Sequence, residues 1–364
     1  MTPPLLFVTG EYPPDVGGVG DYTAHLRSAL EGLGWRSEVL SRRQVRRWDA
    51  RSLIALARAT PRQGIVHIEY QAGAFDLLGD VCLMPSLLRA ANSSVRVVTT
   101  FHDVRVPYLF PKAGALRAAA VRLLARTSHA VVAASAADLR VLGGPSGRHY
   151  QVPIGSNLAC DPPPGYVRSA FRAALGLTED ALLVAFFGLL NASKGLPLLL
   201  DTFERVVAVR PDARLLLLGG GVGASDPTDR QTAAGLTQSL AALGGGVIRT
   251  GWLEPAEVSA HLLAADIALL PYADGASARR GSLLACATHG LPIVSTAPAE
   301  PEVASAIEES QPSAEALANA VLGLAVDSAR RDGFASAARA LADTVAWPRI
   351  AADHVAIYNR LLYS

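Results

Sequence analysis

Short apolar runs recur along the whole chain, each followed by a polar or glycine-bearing loop. Within a run nearly every position is apolar, rather than every second one, which is typical of strands buried on both faces of a parallel sheet. In the first half of the chain, such strands are predicted over 5–10, 65–70, 95–101 and 130–135. In the second half, they are predicted over 182–188, 213–221, 246–251, 266–272 and 291–296.

Segments with the apolar spacing of helices lie between these runs. The clearest are 22–33, 196–209 and 255–264, and a last one closes the chain over 346–364. Strands that alternate with helices predict parallel sheets, so the expected fold class is α/β, with doubly wound layers in both halves. Ligands of such folds bind at the carboxyl ends of the strands.

Chain length and a proline cluster predict two domains. A chain of 364 residues exceeds the usual size of a single core. The segment 153–171 contains consecutive prolines at 162–164, which suit neither helix nor strand, so we interpret it as a linker. The predicted domains are therefore 1–160 and 161–345.

The charge of the chain gives no reason to expect nucleic acid as a partner. Its 33 basic and 32 acidic side chains nearly cancel, and no long run carries one sign. A local basic cluster consists of Arg42, Arg43, Arg46 and Arg47. The pattern favours a solvated face there, with a weak peripheral contact to an anionic membrane surface as the alternative.

The cysteines and the N-terminal sequence predict a cytoplasmic protein. Cys82, Cys160 and Cys286 are odd in number and far apart, which indicates neither a disulfide framework nor a zinc site. The apolar run 5–8 is too short for a signal peptide. No stretch approaches the ~20 apolar residues of a transmembrane helix.

A glycine-rich loop follows the first predicted strand. Gly17, Gly18 and Gly20 would let the backbone approach a ligand closely, and the next helix would offer unpaired N–H groups to an anion or a hydroxyl. The GxGxxG spacing of dinucleotide-binding folds is absent, so the loop resembles that fingerprint only loosely. A plain surface loop is the alternative.

Two polar residues follow the strand predicted over 95–101. His102 could donate a hydrogen bond to a sugar hydroxyl or a phosphate, and Asp103 could orient its ring. A lone histidine often has a purely structural role. Its place at the carboxyl end of a strand favours a binding role here.

A lysine stands before the first long helix of the second half. Gly188 ends a predicted strand, and Lys194 and Gly195 precede the helix. A cation beside a helix N-terminus suits a phosphate, although the residue order of a P-loop is absent. A solvated lysine is the alternative. The glycines within 215–227 suit either a ligand contact or a flexible loop.

Two adjacent arginines precede another predicted helix. The helical spacing of the apolar residues that follow places the segment 277–282 around the helix N-terminus. Arg279 and Arg280 have the wrong charge for that end of the helix dipole unless an anion lies nearby. The pattern therefore favours an anion-binding site over a solvated surface.

In their order and spacing, these motifs resemble the GT-B-fold glycosyltransferases, most closely the retaining, sugar-nucleotide-dependent family four. The resemblance extends over essentially the whole chain and is carried by GGVGDYT, VHIEYQ, TTFHD, PIGSN, FFGLLNASKGLPLLL, PDARLLLLGGG, AADIALLPY and HGLPIVST. It implies two doubly wound, Rossmann-like domains that face each other across a cleft. The first would bind the acceptor and the second the donor nucleotide, with the last helix packed back on the first.

The resemblance also implies roles for individual residues. His102 would contact the donor sugar and Lys194 the donor pyrophosphate, and these two are the candidate catalytic residues. The other candidate donor-binding residues are Gly17, Gly18, Gly188, Ser277, Arg279, Arg280, Gly281 and Ser282. The candidate acceptor-side residues are Asp21, Tyr22 and Asp103.

The sequence departs from the family pattern around the expected pyrophosphate site. Relatives commonly carry an arginine just after the glycine of the first strand of the second domain, where this sequence has Leu189 or Leu190. They also carry two glutamates eight positions apart, where this sequence has Ser277 and Ala285. We hypothesise that the two arginines before the helix, among them Arg280, restore the missing positive charge.

The expected function is transfer of a sugar from a nucleotide-diphosphate sugar to an acceptor hydroxyl, with retention and without a metal or other cofactor. The acceptor could be a carbohydrate, a lipid-linked glycan or a small molecule. The main alternative is a sugar-nucleotide or glycan-binding protein that has lost catalysis, because carboxylates are absent at 277 and 285. A dinucleotide-dependent oxidoreductase and a sugar-nucleotide epimerase are further alternatives.

Overall fold

Two compact units make up the chain. The first comprises Met1–Gly155 with Ala346–Ser364, and the second comprises Ser156–Val345. Each unit has its own hydrophobic core. The computed structural model describes residues 3–15, 17–60, 63–76, 79–91, 94–104, 114–144, 146–188, 194–219 and 244–363.

Six parallel strands form the sheet of the first unit. They are β1 (Leu5–Thr9), β2 (Ser37–Leu40), β3 (Gly64–Tyr70), β4 (Val95–Phe101), β5 (Ala130–Ala133) and β6 (His149–Gln151). Their order across the sheet is β2-β1-β3-β4-β5-β6. Leu6 and Val8 pack into the core on one face, and Leu5 and Phe7 pack on the other. Burial on both faces explains why β1 is apolar at successive positions.

Five helices of the first unit connect these strands. They are α1 (Gly18–Gly32), α2 (Ala50–Ala59), α3 (Met84–Ala91), α4 (Gly114–Thr127) and α5 (Ala136–Val141). Two of them begin at capping side chains: Asp49 accepts the N–H of Ser52 in α2, and Ser135 accepts the N–H of Asp138 in α5.

The second unit repeats this architecture with a second sheet of six parallel strands. They are β7 (Leu183–Phe187), β8 (Arg214–Leu218), β9 (Val247–Gly251), β10 (Ile267–Leu270), β11 (Ile293–Ser295) and β12 (Ile307–Glu309). Their order is β12-β11-β10-β7-β8-β9, so β7 and β10 are neighbours at the centre. The carboxyl ends of these two strands therefore lie side by side.

The described helices of the second unit flank this sheet. They are α6 (Arg168–Ala174), α7 (Leu196–Val209), α8 (Pro255–Ala264), α9 (Gly281–Thr288), α10 (Pro301–Ala304), α11 (Ala314–Val326) and α12 (Ser328–Thr344). An ion pair ties α6 to the sheet: the buried Arg172 donates to Asp266 at 3.1 Å, and the same carboxylate oxygen accepts the N–H of Leu183 at 2.8 Å.

The last helix, α13 (Trp347–Tyr363), belongs to the first unit. It packs along α1 and buries Ile350, Ile357 and Tyr358 in the core that contains Leu30 and Trp35. The apolar spacing in the sequence predicts this buried side of the helix. Within the described residues, no helix is both long enough and apolar enough to span a membrane.

The predicted α/β class and the two doubly wound sheets are confirmed, and α7 and α8 have the predicted bounds. Three short strands escaped prediction, namely β2, β6 and β12. All three lie at sheet edges and are partly exposed, so they lack the continuous apolar run on which the prediction relies. The helix α1 begins at Gly18 rather than at residue 22.

We expect Gly155→Ala to destabilise the first unit. The added Cβ would lie 2.7 Å from the indole ring of Trp347, the first residue of α13. Overpacking of this kind costs about 1–3 kcal/mol, which urea unfolding would measure as a lower free energy of unfolding. Gly333→Ala in α12 is the matched control, because a Cβ there has open space and alanine favours helices. An unchanged unfolding free energy for Gly155→Ala would contradict this account.

Candidate functional site

Two glycines bring a lysine to the carboxyl ends of the central strands of the second sheet. Gly188 follows β7 with φ +139°, and Gly195 precedes α7 with φ +68°. A Cβ on Gly195 would lie 1.8 Å from the carbonyl oxygen of Pro271, which follows β10. Only glycine suits both the backbone conformation and this approach. The approach places Lys194 beside the end of β10.

A short chain of hydrogen bonds holds Lys194 in place. Its Nζ donates to Ser282 Oγ at 2.8 Å, and Ser282 Oγ lies 2.7 Å from the hydroxyl of Tyr272. A Cβ on Gly188 would lie 3.5 Å from Lys194 Cε and 3.7 Å from Ser282 Cβ. The structure thus brings together Gly188, Lys194 and Ser282, which the sequence predicts as separate donor-binding residues.

The environment of Lys194 disfavours its positive charge. Burial, and then the nearby guanidinium of Arg280, lower the pKa of Lys194 to about 8. The ammonium group is therefore close to neutrality at mildly alkaline pH. A bound anion would favour the charged form, so the site is suited to a ligand that brings negative charge.

Three contacts hold Arg280 in place. It is the N-cap residue of α9, and its Cζ lies 4.2 Å from the Tyr272 ring centroid. Its Nε donates to the carbonyl of Gly275 at 3.1 Å, and its guanidinium pairs with the carboxylate of Asp274. The chain itself therefore supplies one anion at this helix N-terminus.

A carboxylate that the sequence did not predict lies beside Ser277. Ser277 donates from Oγ to Glu300 Oε1 at 2.8 Å, and the N–H of Ala278 donates to Glu300 Oε2 at 3.1 Å. A backbone bridge between Ala276 and Pro298 joins the same two loops. Position 277 itself has no carboxylate, but the loop after β11 brings one into hydrogen-bond contact with it.

The other predicted residues of this segment lie at the start of α9. The N–H of Arg279 donates to Ser277 Oγ at 3.3 Å, and Gly281 is the first helical residue. Ala285 is completely buried within α9. Among the described residues, no carboxylate forms a hydrogen bond at position 285 as Glu300 does at Ser277.

In the first unit, His102 lies just beyond β4 and is oriented by Glu69. Its Nε2 lies 2.8 Å from Glu69 Oε2, and its backbone N–H donates to the carbonyl of Tyr70 at 3.0 Å. The side chain of His102 is 8% exposed, whereas that of Glu69 is fully buried. The sequence proposed Asp103 for the orienting role. The structure gives that hydrogen bond to Glu69, and Asp103 is exposed.

A second buried histidine lies on the same side of β3 as Glu69, two residues earlier. The Nδ1 of His67 lies 2.7 Å from the hydroxyl of Tyr358, and its Nε2 lies 2.7 Å from Thr100 Oγ1. Burial lowers the pKa of His67 well below its usual value and raises the pKa of Glu69. Polar residues at alternate positions of the strand VHIEY are the sequence signal that points to this cluster.

The chain's own Glu11 occupies the N-terminus of α1. Its Oε1 accepts the N–H of Val19 at 3.2 Å, and a Cβ on Gly17 would lie 2.1 Å from the Glu11 carboxyl carbon. The expectation that this helix N-terminus offers only unpaired N–H groups is therefore wrong for Val19. Gly18 has open space where a side chain would be.

Tyr22 lies behind His102 rather than on the surface. It is 2% exposed, and its ring centroid lies 4.6 Å from that of His102 and 5.2 Å from that of Trp347. Tyr22, which the sequence predicts as an acceptor-side residue, therefore has a buried ring that supports the imidazole. Asp21 is half-buried on α1, and burial raises the pKa of its carboxyl.

Two residues of the basic cluster of the first unit form ion pairs. Arg42 lies 3.1 Å from Asp76, and Arg43 lies 3.6 Å from Asp15. Arg42 also donates to the carbonyl of Gly10, so part of the cluster holds neighbouring loops together.

Some predicted positions fall outside the described residues, namely Leu189, Leu190 and most of the glycine-rich segment 215–227. In the part of the chain that the structure describes, no group of three or more His, Cys, Asp and Glu side chains has the arrangement of a metal site.

Comparison with known proteins finds a family match within the second unit. Residues 181–342 match the family described as Glycosyl transferases group 1. A search of curated proteins finds no significant match.

Solved structures match almost the full length of the chain. HepE from Anabaena, in complex with UDP and glucose, is 17% identical with a TM-score of 0.72, over 97% of this chain and 98% of that chain. Sucrose-phosphate synthase from Thermosynechococcus elongatus is 20% identical with a TM-score of 0.72, over 99% of each chain. An α,α-trehalose-phosphate synthase (UDP-forming) from Burkholderia xenovorans, in complex with glucose-6-phosphate, is 14% identical with a TM-score of 0.68, over 98% of this chain and 100% of that chain.

TM-scores of about 0.7 over nearly the full length of each chain show that these structures share the fold of this chain, with its two parallel six-stranded sheets. The expected GT-B fold with two Rossmann-like domains is therefore confirmed. Residues 181–342 thus match the group 1 glycosyl transferases, and the whole chain has the GT-B fold.

Proposed function

We propose that the chain transfers a sugar from a nucleoside-diphosphate sugar to an acceptor hydroxyl, with retention of the anomeric configuration and without a metal ion. The observation that carries the proposal is the half-buried Lys194, held by Ser282 at 2.8 Å next to Gly188 in the group 1 domain. A half-buried cation with a lowered pKa is a natural partner for the diphosphate of the donor.

In this reaction, the main task of the second unit is to stabilise the negative charge that develops on the leaving diphosphate. Lys194 supplies a point charge, Arg280 supplies a guanidinium, and Gly281 begins a helix whose first N–H groups carry partial positive charge. These groups are already positioned by hydrogen bonds, so they need little rearrangement as the charge develops. They provide the stabilisation that a metal ion supplies in other transferases.

We assign the sugar and the acceptor to residues of the first unit. His102 would contact the sugar, and Gly17 and Gly18 would approach the donor. Asp21, Tyr22 and Asp103 would lie on the acceptor side. The structurally similar HepE was solved with UDP and glucose, and the trehalose-phosphate synthase with glucose-6-phosphate. UDP-glucose is therefore the first donor to test, with carbohydrate, lipid-linked and small-molecule acceptors. Free cysteines suit a reducing compartment, so we place the reaction in the cytoplasm.

One observation favours a second candidate function, a binding protein without transferase activity. Neither position 277 nor position 285 has a carboxylate, and Ala285 is completely buried. Glu300 reaches Ser277 from another loop and so retains one carboxylate in that region. We favour the enzyme because of this carboxylate.

A donor panel separates the two candidates. UDP-, GDP- and ADP-sugars would be incubated with the purified chain, with and without EDTA, while released nucleoside diphosphate and product are measured. We expect turnover with one donor, at a rate that EDTA does not change. NMR should show that the transferred sugar has the same anomeric configuration in the product as in the donor. Calorimetric binding of a donor without any turnover would support the binding protein instead.

The affinity for a nucleoside diphosphate should fall as the pH rises through the pKa of Lys194. The ammonium is charged below about pH 8 and is lost above it, and the bound anion favours the charged form. Between pH 7 and pH 9, Kd should rise about tenfold by calorimetry. Lys194→Arg is the control, since a guanidinium stays charged and its Kd should vary little. A flat profile for the unaltered chain would count against this role of Lys194.

Glu300→Ala should weaken nucleoside-diphosphate binding and destabilise the second unit. Removal of the carboxylate leaves the Ser277 hydroxyl and the Ala278 N–H without their partner, which costs about 1–3 kcal/mol of unfolding free energy. The loop that leads into α9 would lose its support, so we expect a several-fold rise in Kd. Glu302→Ala, at an exposed position two residues later, should change neither quantity. Equal effects of the two variants would refute the role of Glu300.

A further inference from the structure

A fully buried glutamate in the first unit has no role in the function proposed so far. The side chain of Glu69 has no solvent exposure, and its Oε2 forms one hydrogen bond, to Nε2 of His102 at 2.8 Å. Its other oxygen, Oε1, is buried without a hydrogen-bond partner among the described residues. Burying a carboxylate in this way is costly, and an apolar residue of similar size would pack there at lower cost.

Four described titratable groups that face Glu69 supply no compensating positive charge near pH 7. On its own strand, His67 lies 3.6 Å from Oε1, but burial lowers the pKa of His67 well below its usual value. On α13, burial lowers the pKa of His354 to about 4, and the pKa of Tyr358 is raised well above its usual value. On α1, burial raises the pKa of Tyr22 as well. These four groups are therefore neutral near pH 7, and the hydrogen bond to His102 is the polar contact that the described residues give the Glu69 carboxyl.

The hydrogen bond also decides which imidazole nitrogen carries the proton. An ionised Glu69 can only accept, so the bonded nitrogen, Nε2, is then the donor, and the neutral ring has an unprotonated Nδ1. No described residue forms a hydrogen bond with Nδ1 of His102. The ring packs edge-on against Tyr22, and the backbone N–H of His102 continues the β3–β4 pairing by donating to Tyr70.

We propose that Glu69 is a positioning residue for the reaction: it holds His102 in the Nε2–H tautomer, so that Nδ1 accepts a hydrogen bond from a hydroxyl of the sugar substrate. The proposal rests on the transferase function proposed above. Carboxylates that orient a functional imidazole in this way typically change activity by about 10- to 100-fold when removed.

Substitution of both partners tests whether Glu69 acts through His102. We expect Glu69→Gln to lower kcat by about 10- to 100-fold, because its amide can donate to the ring and so favour the other tautomer. The Kd for nucleoside diphosphate, which binds in the second unit, should stay unchanged. The double variant Glu69→Gln/His102→Gln should be no slower than His102→Gln alone. Glu38→Gln, at an exposed position of β2, is the control with unchanged kcat.

Two further measurements distinguish positioning from a purely structural role. In the unaltered chain, nitrogen NMR of labelled histidine should find His102 in the Nε2–H form, and Glu69→Gln should shift that signal. The pH dependence of kcat should also change in Glu69→Gln, since the variant removes the carboxyl of Glu69, whose pKa is raised by burial. Circular dichroism checks that the variants are folded.

The outcomes separate this proposal from the function on which it rests. An unaltered chain that transfers no sugar from any donor would overturn the proposed function. Two results with an active chain would overturn the positioning role and leave the transferase function standing. One is that the Glu69 and His102 substitutions lower kcat by factors that multiply in the double variant. The other is that His102 is protonated at Nδ1 alone.

Discussion

The close approach of Gly195 to Pro271 is the constraint on which the site of the second unit depends. The two backbones lie so close that a single Cβ on Gly195 would be 1.8 Å from a carbonyl oxygen. This contact joins the loop before α7 to the end of β10, and it brings Lys194 within 2.8 Å of Ser282. The site is thus assembled from two parts of the chain that are 88 residues apart.

The first unit uses the same physical principle at its own strand ends. Parallel strands bring the residues that follow them to one edge of the sheet. Here β3 and β4 pair along their whole length, and the pairing continues to the N–H of His102. As a result, a glutamate in the interior of one strand meets an imidazole just beyond the next. The ring is then packed between Glu69 and Tyr22.

Two carboxylates that contact the candidate site residues could not be predicted from the sequence. Asp103 is adjacent to His102 in sequence, but the hydrogen bond to the ring comes from Glu69, 33 residues away. Ser277 has no carboxylate at its own position, but Glu300 reaches it from 23 residues away. A sequence motif describes only residues that are near each other along the chain. A carboxylate accepts a hydrogen bond from any donor within about 3 Å, however far away that donor is in sequence.

The sequence by itself determined the fold class, most strands, two helices to their bounds and the separate candidates Gly188, Lys194, Ser282 and His102, because burial on both faces and glycine in loops leave local signals. It did not reveal the exposed edge strands β2, β6 and β12, whose pattern resembles that of loops. Only the tertiary structure decided which candidates meet and which partners they have. Hydrogen bonds and packing depend on distances across the fold, and no local pattern of residues encodes those distances.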